Sequence, residues 1–171
     1  MRTKHVIVVP YNYEWSQNFI DIKNELDIIL GNLALRIEHV GSTSVEGLSA
    51  KPIIDIDVVI KGYSFLKDVI NKLDTIGYQY EGNLGIDGRE AFSYTGKEHL
   101  LTHHLYVCTE NSRELERHIR FREYLRHHPK IAKEYSRVKE EAARLFPNDI
   151  DKYIEYKSPL IEKIYANLNL V

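Results

Sequence analysis

The sequence predicts an α+β fold: a small mixed β-sheet flanked by helices, followed by a helical C-terminal section. Three observations predict it. Short β-branched or apolar runs are interleaved with amphipathic stretches up to about residue 110. One of these runs, "PIIDIDVVI", is a strong strand signal. After Asn111 the texture changes to three charged, periodic segments broken at Pro129 and Pro147. The expected organisation is a core over residues 1–110 with a helical section over 111–171 packed on it as one unit.

Taken in order, His5 to Val9 is a short β-branched run ending at Pro10, which reads as a short strand or extended lead-in. Trp15, Phe19, Ile22, Leu26 and Ile29 then recur at spacings of three and four, one apolar helical face that stops at Gly31. "ALRIEHV" is a strand leading into a turn at Gly41. "VEGLSA" reads as a single helical turn, and "PIIDIDVVI" follows as a strand. Phe65, Leu66, Val69, Ile70 and Leu73 form the face of a second helix ending at Gly77. "YQYEGNLGIDGREAFSYTG" reads as two short strands around a loop at residues 83–88, and "LLTHHLYVC" as another strand. In the helical section, Ser112 is a candidate cap, and Pro129 suits the first turn of a helix.

Composition limits the function. The chain has 171 residues, 43% hydrophobic and 28% charged, which suits a globular protein with a real core. A net charge of -2 excludes a global footprint for nucleic acid or an anionic membrane. The single cysteine, Cys108, excludes an intrachain disulfide and a multi-cysteine zinc site. No run approaches the roughly 18 apolar residues of a membrane span. The expectation is a soluble, cytoplasmic protein.

The chemistry concentrates between Glu38 and Ile60. On a strand, residues two apart share a face, roughly 6–7 Å apart. Asp55 and Asp57 therefore project together, with Ile54, Ile56 and Val58 opposite. Adjacent carboxylates repel, and a divalent cation relieves the repulsion. Mg²⁺, with Mn²⁺ as an alternative, takes one or two carboxylates and fills its shell with water and phosphate oxygens. Two such ions can serve an in-line nucleotidyl displacement. The competing reading is a solvated sheet face. Just upstream, Gly41, Ser42 and Ser44 make a small-residue turn suited to phosphate, or simply a capped turn. Lys51 lies near the same end of the strand. Neither the P-loop nor the dinucleotide fingerprint is present.

The string "HVGSTSVEGLSAKPIIDIDVVI" resembles the GrpB family, a branch of the polymerase-beta-like nucleotidyltransferase superfamily. The likeness continues in "YNYEWSQNF", "THHLYV", "FREYLRHHPKIAKEYSRVK" and "FPNDIDKYIEYKSPLIEKI", and so covers essentially the whole chain. The resemblance implies a nucleotidyltransferase-like mixed sheet, metal ligation by Asp55 and Asp57, and phosphate binding at Gly41 and Ser42. Enzymes of the superfamily commonly carry a third acid on a neighbouring strand. The matching strand here, "THHLYV", has none, and where the family usually reads His-Leu-His this chain reads His104-Leu105-Tyr106. The family pattern selects His104 as the residue that joins the aspartates, as metal ligand, general base or phosphate donor. A related domain also occurs fused to dephospho-CoA kinase.

The helical section carries Arg122 and Arg126, Tyr135 and Lys139, and Tyr153 and Lys157, each pair four apart on one helix face. They can form one cleft wall that holds a triphosphate, or they can be solvated surface. The resemblance raises Arg122, Lys139 and Lys157 above the other charges. Interleaved glutamates argue against a broad nucleic-acid surface. The first functional expectation is Mg²⁺-dependent transfer of a nucleotidyl group from a nucleoside triphosphate to an unknown acceptor. The second is a non-catalytic module binding a nucleotide or another phosphorylated ligand. The third is a metal hydrolase using Asp55, Asp57 and His104.

Overall fold

The computed structural model describes residues 4–170. Helix α1 (Glu14–Leu30) leads to strand β1 (Arg36–Val40), a single 3-10 turn (Ser42–Ser44) and strand β2 (Ile54–Ile60). Helix α2 (Leu66–Asp74) and strands β3 (Tyr78–Gly82), β4 (Glu90–Tyr94) and β5 (His103–Thr109) follow. Helices α3 (Arg113–His127), α4 (Pro129–Leu145) and α5 (Ile150–Asn167) complete the described chain.

The strands form a mixed sheet of order β1-β2-β5-β4-β3. Strands β2 and β5 are parallel at its centre, and the other neighbours are antiparallel. The β2/β5 register sets His104 opposite Asp55 and Tyr106 opposite Asp57.

Alternation along the strands gives the sheet two different faces. Ile54, Ile56, Val58 and Ile60 of β2, with Leu105 and Val107 of β5, pack against Trp15, Ile22 and Leu26 of α1 and Val69 and Leu73 of α2. That face is the main core. The opposite face carries Asp55, Asp57 and Val59, and α3 covers its far end by packing Leu115 and Ile119 on Val59 and Cys108. Helices α3, α4 and α5 also bury Leu125, Tyr135 and Ile164 against Val45 and Leu48, the segment that follows the 3-10 turn. The helical section thereby sits beside the acidic end of β2. Ser112 caps α3 by accepting from the Leu115 N–H, and Pro129 opens α4.

Of the two readings of His5 to Val9, the extended lead-in is the one the structure has: Val9 makes a lone bridge with Ala50, while Val6 packs on Ala142 and Tyr153 and donates its N–H to the Pro147 carbonyl. The β-branched run suits an extended chain, but its partners are helices. One local expectation is corrected: "VEGLSA" is not a helical turn. The turn falls earlier, at Ser42–Ser44, because Gly47 adopts a φ of 85°, outside the right-handed helical region.

Candidate active site

The site begins where β1 turns back toward β2. Gly41 has a φ of 72°, and a Cβ there would overlap the Asp55 carboxylate. Glycine is needed twice over: for the backbone conformation, and because the carboxylate lies directly against it. Two buried neighbours brace the turn. The Ser44 hydroxyl donates to the Gly41 carbonyl at 2.5 Å. The Thr43 hydroxyl donates to the Ile53 carbonyl at 3.3 Å, so its oxygen accepts from His39 Nε2 at 2.9 Å. The His39 ring stacks on Phe19 with centroids 4.7 Å apart.

Burial pushes His39 down to about 4. It stays neutral in the folded chain while the unfolded chain protonates it below 6.5. Its stabilising contribution is therefore full above pH 6.5 and is lost progressively down to about pH 4. Denaturant midpoints measured across that window are expected to fall for the native protein, and to fall less for His39→Gln. Equal slopes would remove His39 from the account.

Asp55 and Asp57 share the face away from the main core but differ in surroundings. The Asp55 side chain is about a third exposed and accepts from His104 Nδ1 at 3.0 Å. Asp57 is wholly buried, and its Oδ2 accepts from His118 Nδ1 at 2.6 Å. Burial pushes Asp57 up. Burial alone would push His118 down, but the bond to Asp57 reverses that and holds His118 above its ordinary value. Asp57 Oδ1 is buried with no hydrogen-bond partner.

A cavity of about 170 Å³ opens beside Asp55. Ser42, Thr43, Lys51, His104, Lys139, Tyr153 and Lys157 are among its lining residues. Three lysines thus converge from the β1–β2 connection, α4 and α5. Lys139 lies over the Tyr135 ring at 4.5 Å, and Lys157 over the Tyr153 ring at 4.8 Å. Lys139 is 2% exposed, and its Nζ has no hydrogen-bond partner. Burial first, then the charges of Lys157 and Lys51, push its ammonium well below the ordinary value. Burial and Lys51 bring Lys157 down to about 8. An unpartnered, desolvated amine among other cations is an arrangement that an anion relieves.

Of the residues singled out from the sequence, Ser42, Lys51, Asp55, His104, Lys139 and Lys157 meet at this cavity. Tyr135 lies under Lys139. Three residues are occupied elsewhere. Arg122, expected at the phosphate, binds the Glu38 carboxylate at 2.8 Å and the His39 carbonyl at 3.0 Å. Arg126, its neighbour one turn on, donates to the Ser44 carbonyl. The α3 face that carries both turns toward β1 and the turn, where these acceptors are. Ser44 likewise directs its hydroxyl into the turn. Sequence reasoning missed His118 as the partner of Asp57. Its only signal was its place one helical turn from Glu114 and from Arg122.

A bound Mg²⁺ is tested by these donors. Among the described residues no group of three or more His, Cys, Asp and Glu side chains is placed to hold a metal ion. The unpartnered Asp57 Oδ1, with Asp55 on the same face, still offers what Mg²⁺ takes from a protein: one or two carboxylates, with phosphate and water completing the shell. The residues fit an ion that arrives with its phosphates.

The mixed sheet, with an acid pair on one strand and a Gly-Ser turn at its mouth, defines a protein of the nucleotidyltransferase fold. The Cid1 poly(U) polymerase, solved with MgGTP bound, shares that fold with a TM-score of 0.55 at 13% identity, over 79% of this chain and 44% of that one. The family is narrower: the GrpB protein family matches residues 5–167, and the chain belongs to it. The crystal structure of the conserved protein GrpB from Enterococcus faecalis has a TM-score of 0.78 at 34% identity, covering 93% of this chain and 99% of that one. The UPF0157 protein YqkA of Bacillus subtilis (strain 168) is 34% identical over 164 residues, 96% of this chain. This chain spans 47% of that relative's length. No helix among the described residues is long and apolar enough to cross a membrane.

Proposed function

We propose that the chain is a nucleotidyltransferase that uses a Mg²⁺-bound nucleoside triphosphate and moves its nucleotidyl group to an acceptor. The observation that carries this reading is the buried, unpartnered Lys139 Nζ, in a cavity shared with Lys51 and Lys157 and bordered by Asp55. A cavity of about 170 Å³ is smaller than the roughly 300–1,000 Å³ of sites that enclose a whole drug-sized ligand. It suits the phosphates, with the nucleoside outside.

In this reading the three lysines neutralise the terminal phosphates, and the Ser42 hydroxyl orients them. Asp55 and Asp57 would hold Mg²⁺, or Mn²⁺ in its place. When bound, the ion polarises the transferring phosphate and stabilises the departing pyrophosphate. Asp55 accepts from His104 Nδ1–H, which leaves Nε2 as the basic nitrogen able to take the acceptor's proton. The family likeness and the triphosphate chemistry favour a cytoplasmic setting.

A second reading, a nucleotide-binding module without turnover, draws on two observations. His104 and Tyr106 stand opposite the aspartates, where a third carboxylate would complete a two-metal site. His118 also covers Asp57. Calorimetry with a panel of nucleoside triphosphates, with and without Mg²⁺ or Mn²⁺, separates the readings when run beside a pyrophosphate-release assay. Metal-dependent binding with pyrophosphate release is expected. Binding without release supports the module, and no binding of any triphosphate defeats both.

A further inference from the structure

We propose that Arg89 is an anion anchor for the acceptor, which would carry a phosphate or carboxylate group and lie on the Tyr106 side of the acid pair. The word "acceptor" rests on the nucleotidyltransferase reading; the anion site itself rests on geometry.

The Arg89 guanidinium lies over the Tyr106 ring, 4.1 Å from its centroid. Tyr106 stands opposite Asp57 in the β2/β5 register, on the same face of the sheet, so the guanidinium is beside the acid pair. Lys139 and Lys157 approach that pair from α4 and α5, whereas Arg89 approaches from the loop before β4. Arg36, Arg117, Arg120, Arg122, Arg126 and Arg144 each have a carboxylate within ion-pair distance. Arg89 has none among the described residues, and neither do Arg113 and Arg137; those two are exposed, whereas the Arg89 Nε is buried without a hydrogen-bond partner.

A guanidinium is a planar fork that matches phosphate or carboxylate with two parallel bonds, and stacking on an aromatic ring fixes its plane. The ion pair of Asp57 is made with His118 rather than with Arg89. The neighbouring sheet positions beyond Tyr106 carry small residues. Strand β4 sets Ala91 opposite Tyr106, and β3 sets Gly82 opposite Ala91. A Cβ built on Gly82 would meet nothing within 4 Å. No bulky side chain rises from these two positions, which lie on the side of Tyr106 away from Asp57.

The test follows the Arg89 Nε–H resonance by NMR in the full chain, assigned by its loss in Arg89→Lys. Inorganic phosphate and malonate are the two probes, titrated separately. The resonance is expected to shift with at least one of them, and the responding probe identifies the acceptor's anion as phosphate or carboxylate. The same shift is expected in Lys139→Met, where the lysine cavity is disabled. Calorimetry should show the Arg89-dependent binding weakened at least about ten-fold in Arg89→Gln, with the lysine-cavity binding retained. A resonance unmoved by both probes overturns the proposal. So does an Arg89→Gln protein, or Arg89→Lys if the glutamine variant does not fold, with native affinity and stoichiometry for both anions. If Arg89 responds but no triphosphate binds at the lysines, the transferase reading fails and the anion site stands. If triphosphate binds and Arg89 does not respond, only the present proposal fails.

Discussion

Lys139→Met is expected to make the protein more stable and nearly unable to hold a triphosphate. The two effects share one cause. The Lys139 amine is 2% exposed with no hydrogen-bond partner, so folding strips it of water with only the Tyr135 ring face in return. A methionine of similar length fills the space without that cost, and a gain of about 2 kcal/mol is expected. Loss of the cation from an anion cavity should weaken triphosphate binding by roughly a hundred-fold. The dependence on pH has a definite sign. The lysines of the cavity are depressed in the folded chain, Lys157 to about 8 from 10.5, so between these values the unfolded chain holds protons that the folded chain has released. Native stability therefore rises with pH through that window, and Lys139→Met should flatten the rise. Triphosphate affinity runs the other way and falls as pH climbs past about 8, because Lys157 gives up its charge. Denaturant melts and calorimetry across pH read both. A variant that is less stable yet binds triphosphate normally would make Lys139 a structural residue.

Asp55→Asn combined with Asp57→Asn is expected to reduce nucleotidyl transfer by roughly a thousand-fold or more while the fold survives. Asparagine keeps the volume of each side chain. At Asp57 its amide oxygen can still accept from His118 Nδ1, so the contact between α3 and β2 is retained. What is lost is the negative charge that would hold the metal. Far-ultraviolet circular dichroism and a cooperative melt establish that the variant is folded, and pyrophosphate release measures the chemistry. Native turnover from a folded double variant would mean that the acid pair is not the metal site.

How much of this was legible in the sequence depends on the range of the interaction that decides each feature. The common face of Asp55 and Asp57 follows from strand alternation, and the Tyr135–Lys139 and Tyr153–Lys157 pairs follow from helical spacing. Such periodicities are local, and the structure keeps them. Arg122 and Arg126 have the same four-residue spacing, yet α3 directs them to Glu38, His39 and Ser44, because which way a helix face points is set by its tertiary neighbours. His118 sits among charged residues and was invisible as a partner until α3 was laid across β2. Arg89 left no periodic trace at all, since its position depends on a loop. The lead-in at Val6 has strand composition, but helices α4 and α5 are its partners.

The lysine cavity draws one wall from the turn before β2 and the other from α4 and α5, segments far apart along the chain. The sheet has its own core with α1 and α2, separate from the contacts of Val45 and Leu48 with the last helices. Undocking α4 and α5 would dismantle the cavity while leaving that core assembled. Such a sub-global opening requires less free energy than complete unfolding. A polyanion bound in the cavity would bridge the two walls and act as a clasp on the last step of folding, which would link its occupancy thermodynamically to the docking of these helices.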